Sequence, residues 1–385
     1  VHNLNKHYDY IITGAGCAGL SLLMRLLQEP LLNNKQILVI DQEQKSKNDR
    51  TWCFWEKGVG LFETIVHHRW NEAYFIANNL NKRLALTPYT YKMIQGIDFY
   101  NYVQSKAASY ANVNFYYGKV QQIDTQHNKA VVMVNNETFT ADWVFNSILF
   151  EKPTIQPNDY YLLQHFKGWV IETTEPSFNP AVATFMDFSI SQQQGTSFMY
   201  VMPTSTTTAL VEYTLFTEQL LPTEAYTSAL EEYINQRLGV SSYTIQHEEF
   251  GIIPMTNFHF SQQQGRVVYI GIAGGQAKGS SGYAFQFIQK RTQQIINGLL
   301  QHTTNFIDNS LAKRKFTFYD AVLLQVLQQK RMPGSEVFAA IFKANSATTV
   351  LQFLDNETNL LQDLRIMASV PTKVFLPAAF RQMFK

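Results

Sequence analysis

The sequence predicts an α/β fold: a doubly wound nucleotide-binding domain, an antiparallel-sheet domain and a helical C-terminal part. Three observations predict it. A short β-type run enters a glycine-rich turn and then an amphipathic helical pattern at the N-terminus. Strand-like runs separated by turn residues fill residues 155–255, and helical patterns dominate 305–385.

The first forty residues are the most legible. YDYII (8–12) leads into Gly14, Gly16 and Gly19 in a GxGxxG arrangement. Leu20, Leu23, Met24 and Leu27 then fall at i, i+3, i+4 and i+7, one face of a helix that should stop near Pro30. QILVID (36–41) is a second buried strand, closed by Asp41. Strand, glycine turn, helix and strand make the first unit of a dinucleotide-binding fold. Gly14 allows the tight turn, Gly16 removes a Cβ from the path of a pyrophosphate, and Gly19 permits close helix–strand packing. Asp41, 22 residues after Gly19, stands where an acid bonds a ribose hydroxyl.

Further along, TWCFW (51–55) is a dense aromatic patch and residues 98–110 read as a helix. VNFYYGKVQQI (113–123) and KAVVMV (129–134) suit a small antiparallel sheet, and ADWVFNSIL (141–149) returns to the parallel one. WVIET, TSFMYVMPTS and TTALVEYTLF are strands, with a helix near 223–237. RVVYIGIAGG (266–275) is a returning strand that ends in a turn at Gly274 and Gly275, and a helix follows over 283–300. The expected division is 8–70, 98–150 and 256–300 as the dinucleotide domain, 71–97 and 151–255 as the substrate domain, and 301–385 as the helical region. The triplets at Gln192 and Gln262 read as solvated turns.

Composition narrows the function. Hydrophobic residues at 45% and charged ones at 16% of 385 residues describe a large folded core, not a disordered chain. A formal charge of +1 gives no electrostatic case for nucleic acid. Two cysteines make no disulfide framework, and no Cys/His spacing indicates a metal site. The polar start VHNLNKHYDY is unlike a signal peptide, and no apolar run reaches the ~18 residues of a spanning helix. The 14% aromatic content fits an aromatic-rich core, or the lining of a large apolar cavity.

NDRTWCFW (48–55), HHRW (67–70), ALVEYTLF (209–216), EEFGIIPM (248–255) and GSSGYAF (279–285) occur in the order seen in bacterial lycopene cyclases. The chain resembles that flavoprotein family over nearly its whole length. The resemblance implies a Rossmann-type FAD-binding domain like those of glutathione reductase and hydroxybenzoate hydroxylase. It also implies closure of β-ionone rings on lycopene and related linear carotenes, giving β-carotene via γ-carotene without net redox change. FAD would act in its reduced form, with NAD(P)H as reductant. Glu212 matches the first glutamate of the family's Phe-Leu-Glu-Glu-Thr type motif, the proposed catalytic acid, and Thr214 matches its threonine. Tyr213 replaces the second acid, a departure. Ser281, Gly282 and Tyr283 stand for the Thr-Gly-Tyr type segment near the flavin. GIAGGQAKG lacks the Asp that many flavoproteins use to bond the ribitol, so backbone groups or other side chains must do so.

The chemistry asks for an acid strong enough to protonate an alkene, a dry pocket, and negative or π density near the cation. A buried carboxylic acid supplies the first and stays protonated because it is buried. An outward-facing residue on an alternating strand is the competing reading of Glu212, and only the resemblance reverses that order. Trp52, Phe54, Trp55, Tyr200, Tyr213, Phe216 and Tyr283 are candidates for the pocket wall, with plain core packing the competing reading. Glu249, or its neighbour Glu248, is a candidate for removing the second proton, and a solvated loop pair is the alternative. Arg50 and Asp49 could contact the cofactor or form a surface ion pair, and His67 and His68 read as structural. Apolar runs within the basic C-terminal part fit a peripheral attachment to the cytoplasmic side of a membrane. A redox flavoprotein, such as a monooxygenase or prenyl reductase consuming NAD(P)H, is the runner-up. A flavin-fold carotenoid or lipid carrier is the non-enzyme alternative.

Overall fold

The computed structural model describes residues 6–384 apart from residue 78; the first five residues of the polar start VHNLNKHYDY lie outside them. Strand β1 (His7–Thr13), helix α1 (Cys17–Gln28) and strand β2 (Ile37–Asp41) form the expected unit. β1 and β2 are parallel, with Tyr10 opposite Ile37 and Thr13 opposite Ile40. Along one side, Glu137–Asn146 and then Val267–Tyr269 continue the parallel sheet; Val113–Tyr117 closes the other side against β2. That last strand departs from the expected small antiparallel sheet. The antiparallel ladder instead joins Val120–Gln126, Lys129–Val134 and Glu137–Asn146, because Gly118 donates its N–H to the Asp41 carbonyl and ends the parallel strand there. α1, the helix Gly96–Ala107 and the helix Phe285–Leu300 cover one face of the sheet through Leu20, Leu23, Leu27, Phe99, Ile295 and Ile296.

A seven-stranded sheet runs in the order Tyr243–Thr256, Tyr161–Thr173, Thr208–Thr217, Thr196–Pro203, Val182–Asp187, Glu72–Ala77 and Leu80–Ala85. Its contacts are antiparallel except between Val182–Asp187 and Glu72–Ala77. EEFGIIPM thus lies inside a long strand rather than in a loop. One face packs on the C-terminal helices through Phe75, Phe188, Phe338 and Phe342. The other is covered by the helix Thr223–Glu232 through Tyr226 and Leu230. A three-stranded sheet pairs Thr51–Lys57 and His68–Trp70 with Tyr89–Gln95, so the expected boundary at 70/71 cuts through one sheet. Among the described residues five helices follow residue 310. Gln262 is buried, not a solvated turn: its side chain accepts from the N–H of Asp308 and donates to its carbonyl.

The glycine turn is built by contact. A Cβ on Gly19 would run into the Gly14 carbonyl and come within 2.9 Å of Ile12 Cγ2. Gly14 itself has φ +95°. A Cβ on Gly16 would meet nothing within 4 Å. Thermal and denaturant unfolding should separate these positions. Gly19→Ala should lose on the order of 1–3 kcal/mol, because backbone cannot give way. Gly16→Val should stay within about 1 kcal/mol of the parent, the scale of a helix-cap change.

Candidate active site

A cavity of about 370 Å³ lies between the start of α1 and the seven-stranded sheet. Gly16, Cys17 and Ala18 form one wall, with Ser147, Gly271 and Ile272; Arg50, Trp52, Cys53 and Gly282 to Phe285 form its sides. α1 begins here with no acidic residue in its first turn, so its free N–H groups and positive end face the cavity uncompensated. The empty space where a Gly16 Cβ would stand is a cradle for a phosphate. Asp41 Oδ2 accepts the Ala15 N–H at 2.6 Å and Lys45 Nζ lies 3.4 Å from Oδ1, so this acid first holds the turn in shape. These residues fit a dinucleotide.

The opposite wall carries the acids. Tyr200 pairs with Glu212, Glu212 with Gly168, and Gly168 with Glu249, which makes one row across four strands. Directly opposed residues project from the same face, so both carboxyls rise on the cavity side of Gly168. A Cβ at Gly168 would sit 3.1 Å from Glu249 Cγ and from Leu210 Cδ1; glycine leaves the room these side chains use. Thr214 Oγ1 donates to Glu212 Oε1 at 2.7 Å. Glu249 is 6% exposed, and its Oε2 has no hydrogen-bond partner among the described residues. Burial, then the neighbouring Glu249 charge, raises the Glu212 carboxyl well above the usual range. Burial also raises Glu249, against hydrogen bonds from Thr51 and the charge of Arg50. Both carboxyls are raised, so the pair holds on to a proton as pH rises, and the hydrogen bonds and charge at Glu249 favour leaving that proton on Glu212.

The family described as lycopene cyclase protein matches residues 9–379. The chain belongs to that family. It is 24% identical over 294 residues to a lycopene beta-cyclase of Pantoea ananas, covering 73% of this chain and 72% of that one. It is 25% identical over 255 residues to a lycopene beta-cyclase of Pseudescherichia vulneris, covering 64% and 62%; the chain thus spans less than two thirds of that relative's length. Among solved structures, a flavoprotein/dehydrogenase from Cytophaga hutchinsonii superposes with TM-score 0.64 at 11% identity, over 98% of this chain and 99% of that one. A geranylgeranyl bacteriochlorophyll reductase-like protein from Thermoplasma acidophilum gives 0.60 at 11%, over 98% of each chain. At such identities these likenesses speak for the shared fold.

Within this lycopene cyclase family member, the cavity gathers Gly16, Arg50, Trp52, Tyr200, Glu212, Glu249, Gly282 and Tyr283. Tyr200 and Tyr283 join hydroxyl to hydroxyl at 2.9 Å. Other expected residues lie elsewhere. Tyr213 alternates to the opposite face of its strand and packs near Tyr226, so it does not line the pocket as expected. Phe216 shares the face of Glu212 but is covered by Phe198 and Phe338. Trp55 stands behind Tyr283, edge-on at 4.7 Å between centroids, and Phe54 stacks on Phe285. Gly274 and Gly275 line a different cavity; they make the turn, since a Cβ on Gly274 would strike the Tyr269 backbone and Gly275 has φ +71°. Gly271, φ +62°, is the glycine of that turn that lines this cavity, and Ile272 lies beside it. Glu248 points away, paired with Lys167 at 3.1 Å. Asp49 accepts from Tyr100, and His68 meets the Pro180 carbonyl.

Sequence reasoning missed Gly168 and Gln164. A lone glycine inside HFKGWVIET was the available signal, since it marks a close approach in a strand. Gln164 Oε1 is buried in the cavity wall without a hydrogen-bond partner among the described residues, and only the fold brings it there.

A raised carboxyl pKa makes the folded chain hold a proton that the unfolded chain releases. That contribution to stability is full below the ordinary carboxylate range and is lost as pH rises through the folded value. Replacing Glu212 by Gln should therefore stabilise the protein more at pH 8 than at pH 5, by on the order of 1–2 kcal/mol in denaturant titrations. Identical parent and variant slopes against pH would show that Glu212 is not the proton holder.

Proposed function

We propose that this protein closes β-ionone rings on the ends of lycopene, giving β-carotene via γ-carotene, by a proton-initiated, non-redox route. The row Tyr200–Glu212–Gly168–Glu249 carries the reading, since a buried proton donor and a buried acceptor beside an apolar wall are what the cyclisation needs. FAD would lie along α1, its pyrophosphate against Gly16 and its ribose near Asp41, with backbone groups around Gly271 and Gly282 in place of the missing Asp. When bound and reduced, with NAD(P)H as the hydride donor, it would supply negative charge that stabilises the cation.

Glu212 gives its proton to the terminal alkene. The neighbouring double bond attacks the resulting cation and closes the ring. Glu249, as carboxylate, takes the second proton, so one proton enters the hydrocarbon and one leaves. Transfer across Gly168 returns the pair to its starting state. Leu210, Met202 and Phe166 keep water out, and the faces of Trp52, Tyr200 and Tyr283 offer π density to the cation.

Glu212→Gln should lower cyclisation by ~10²–10⁴ with flavin content unchanged. In deuterated water one deuteron should appear in each ring, while the flavin stays reduced through many anaerobic turnovers. Consumption of one NAD(P)H per product would instead favour a monooxygenase or reductase. Gly16→Val, which keeps the fold, should purify without flavin absorbance.

The lipid-soluble substrate class fits a membrane-resting enzyme. Leu360, Leu361 and Leu364, and Leu376, Phe380 and Met383, are exposed on the last two helices, interspersed with Arg365, Lys373 and Arg381. No helix among the described residues is long and apolar enough to cross a membrane. Peripheral binding at the cytoplasmic leaflet is our reading. Leu364→Ser with Phe380→Ser should cut pelleting with phosphatidylglycerol vesicles several-fold, and unchanged pelleting would reject this face.

A further inference from the structure

A second cavity, about 500 Å³, lies behind the loop Gly271–Gly282, between it, the helix Phe285–Leu300 and the helix Leu311–Gln328. Ile272 lines both cavities. The charges in the second cavity are unevenly partnered. Lys278 pairs with Asp320 at 2.8 Å and Lys290 with Glu357 at 2.9 Å, which accounts for one end. Asp355, at that end, is pushed up to about 7 by burial and so tends toward its neutral form. At the other end stand Arg291 and Lys313. Arg291 is 6% exposed, yet its Nε and Nη2 have no hydrogen-bond partner among the described residues. Neither cation has a carboxylate within 4 Å among the described residues; the nearest acid in the wall, Asp308, accepts the N–H of Ser310 instead. Burial lowers both cations, Arg291 to about 10; the Asp308 charge opposes this at each from beyond ion-pair distance, and the Arg291 charge lowers Lys313 further.

Asp308 offsets part of the repulsion between the two cations but leaves the buried guanidinium donors unmet, and such donors are costly unless an acceptor lies against them. The guanidinium fork suits an anion with several oxygens, and the Lys ammonium adds a point charge. Gln276 Oε1, also buried in this wall and without a partner among the described residues, can accept from a ligand hydroxyl, which the singly protonated form of a phosphomonoester carries and a carboxylate does not. We propose that this second cavity binds a phosphomonoester between Arg291 and Lys313. The proposal goes beyond the ring-closing reading and does not depend on it. Ile307 and Leu311, exposed beside the lining residues Asp308, Ser310 and Ala312, leave room for the phosphate to belong either to a soluble molecule or to a lipid headgroup.

Isothermal titration of the flavin-loaded full chain with inorganic phosphate should give saturable binding at one site. Arg291→Gln and Lys313→Gln should each weaken it roughly tenfold or more, the scale of a charge-assisted hydrogen bond. Arg314→Gln, exposed and outside the cavity, should not. Lys313 is only half-buried, so its variant tests the site even if the Arg291 variant folds poorly. Pelleting with phosphatidylcholine vesicles, with and without phosphatidic acid, distinguishes the sources. Phosphatidic-acid-dependent pelleting that is lost in both variants assigns a lipid, and phosphate binding without it assigns a soluble phosphomonoester. Absence of saturable binding to both probes, or binding that both variants keep, overturns the proposal.

Discussion

The constraint on which the rest of the structure depends is the burial of two carboxyls on one face of a sheet. Each would prefer water by several kcal/mol when charged. The fold tolerates them because they share a proton, because Thr214 and Thr51 hydrogen-bond to them, and because Gly168 opens a gap between them. A sheet is a suitable carrier: neighbouring strands lie ~4.8 Å apart, so residues two strands apart are close enough to couple yet cannot collapse onto one another.

Keeping that face dry requires the domains to interlock, and buried or half-buried lysines do much of this. Lys82 Nζ bonds the carbonyls of Phe342 and Asn345 at 2.6 and 2.9 Å, which ties the end of a C-terminal helix to the edge hairpin of the seven-stranded sheet. Lys92, 2% exposed, holds Glu56 and Glu63 and closes the three-stranded sheet over the aromatic patch. Lys278 and Lys290 join the loop and helix beside the cofactor cradle to the C-terminal helices. Such pairs add specificity of arrangement more than net stability, since desolvation offsets most of their attraction. Their effect is to hold the glycine turn and the acid row at a fixed relation.

The aromatic content is consistent with this arrangement. Most of the large rings pack on one another: Phe54 on Phe285, Phe75 on Phe342, Phe188 on Phe338. Only a few, Trp52, Tyr91, Tyr100, Phe166, Tyr200, Tyr283 and Phe285, reach the cavity. The same residue type therefore serves as core and as pocket wall, according to which layer it meets.

What was legible in the sequence was local. Residues 8–41 declare strand, turn, helix and strand because glycine spacing, helical periodicity and a closing acid all act within a few residues of one another. The family motifs, in order along the chain, marked Glu212, the pair Glu248 and Glu249, and Gly282 without any coordinates. What only the tertiary structure decided was long-range register. Whether Glu212 faces in and Tyr213 out, whether Glu248 or Glu249 meets the cavity, and whether Gly271 or Gly275 faces the cofactor cradle depend on strand pairing. A shift of one residue reverses every side chain on a strand, and the partners that set the register, such as Gly168 for both acids, lie about 40 and 80 residues away. Local patterns specify elements; the packing of sheets specifies faces.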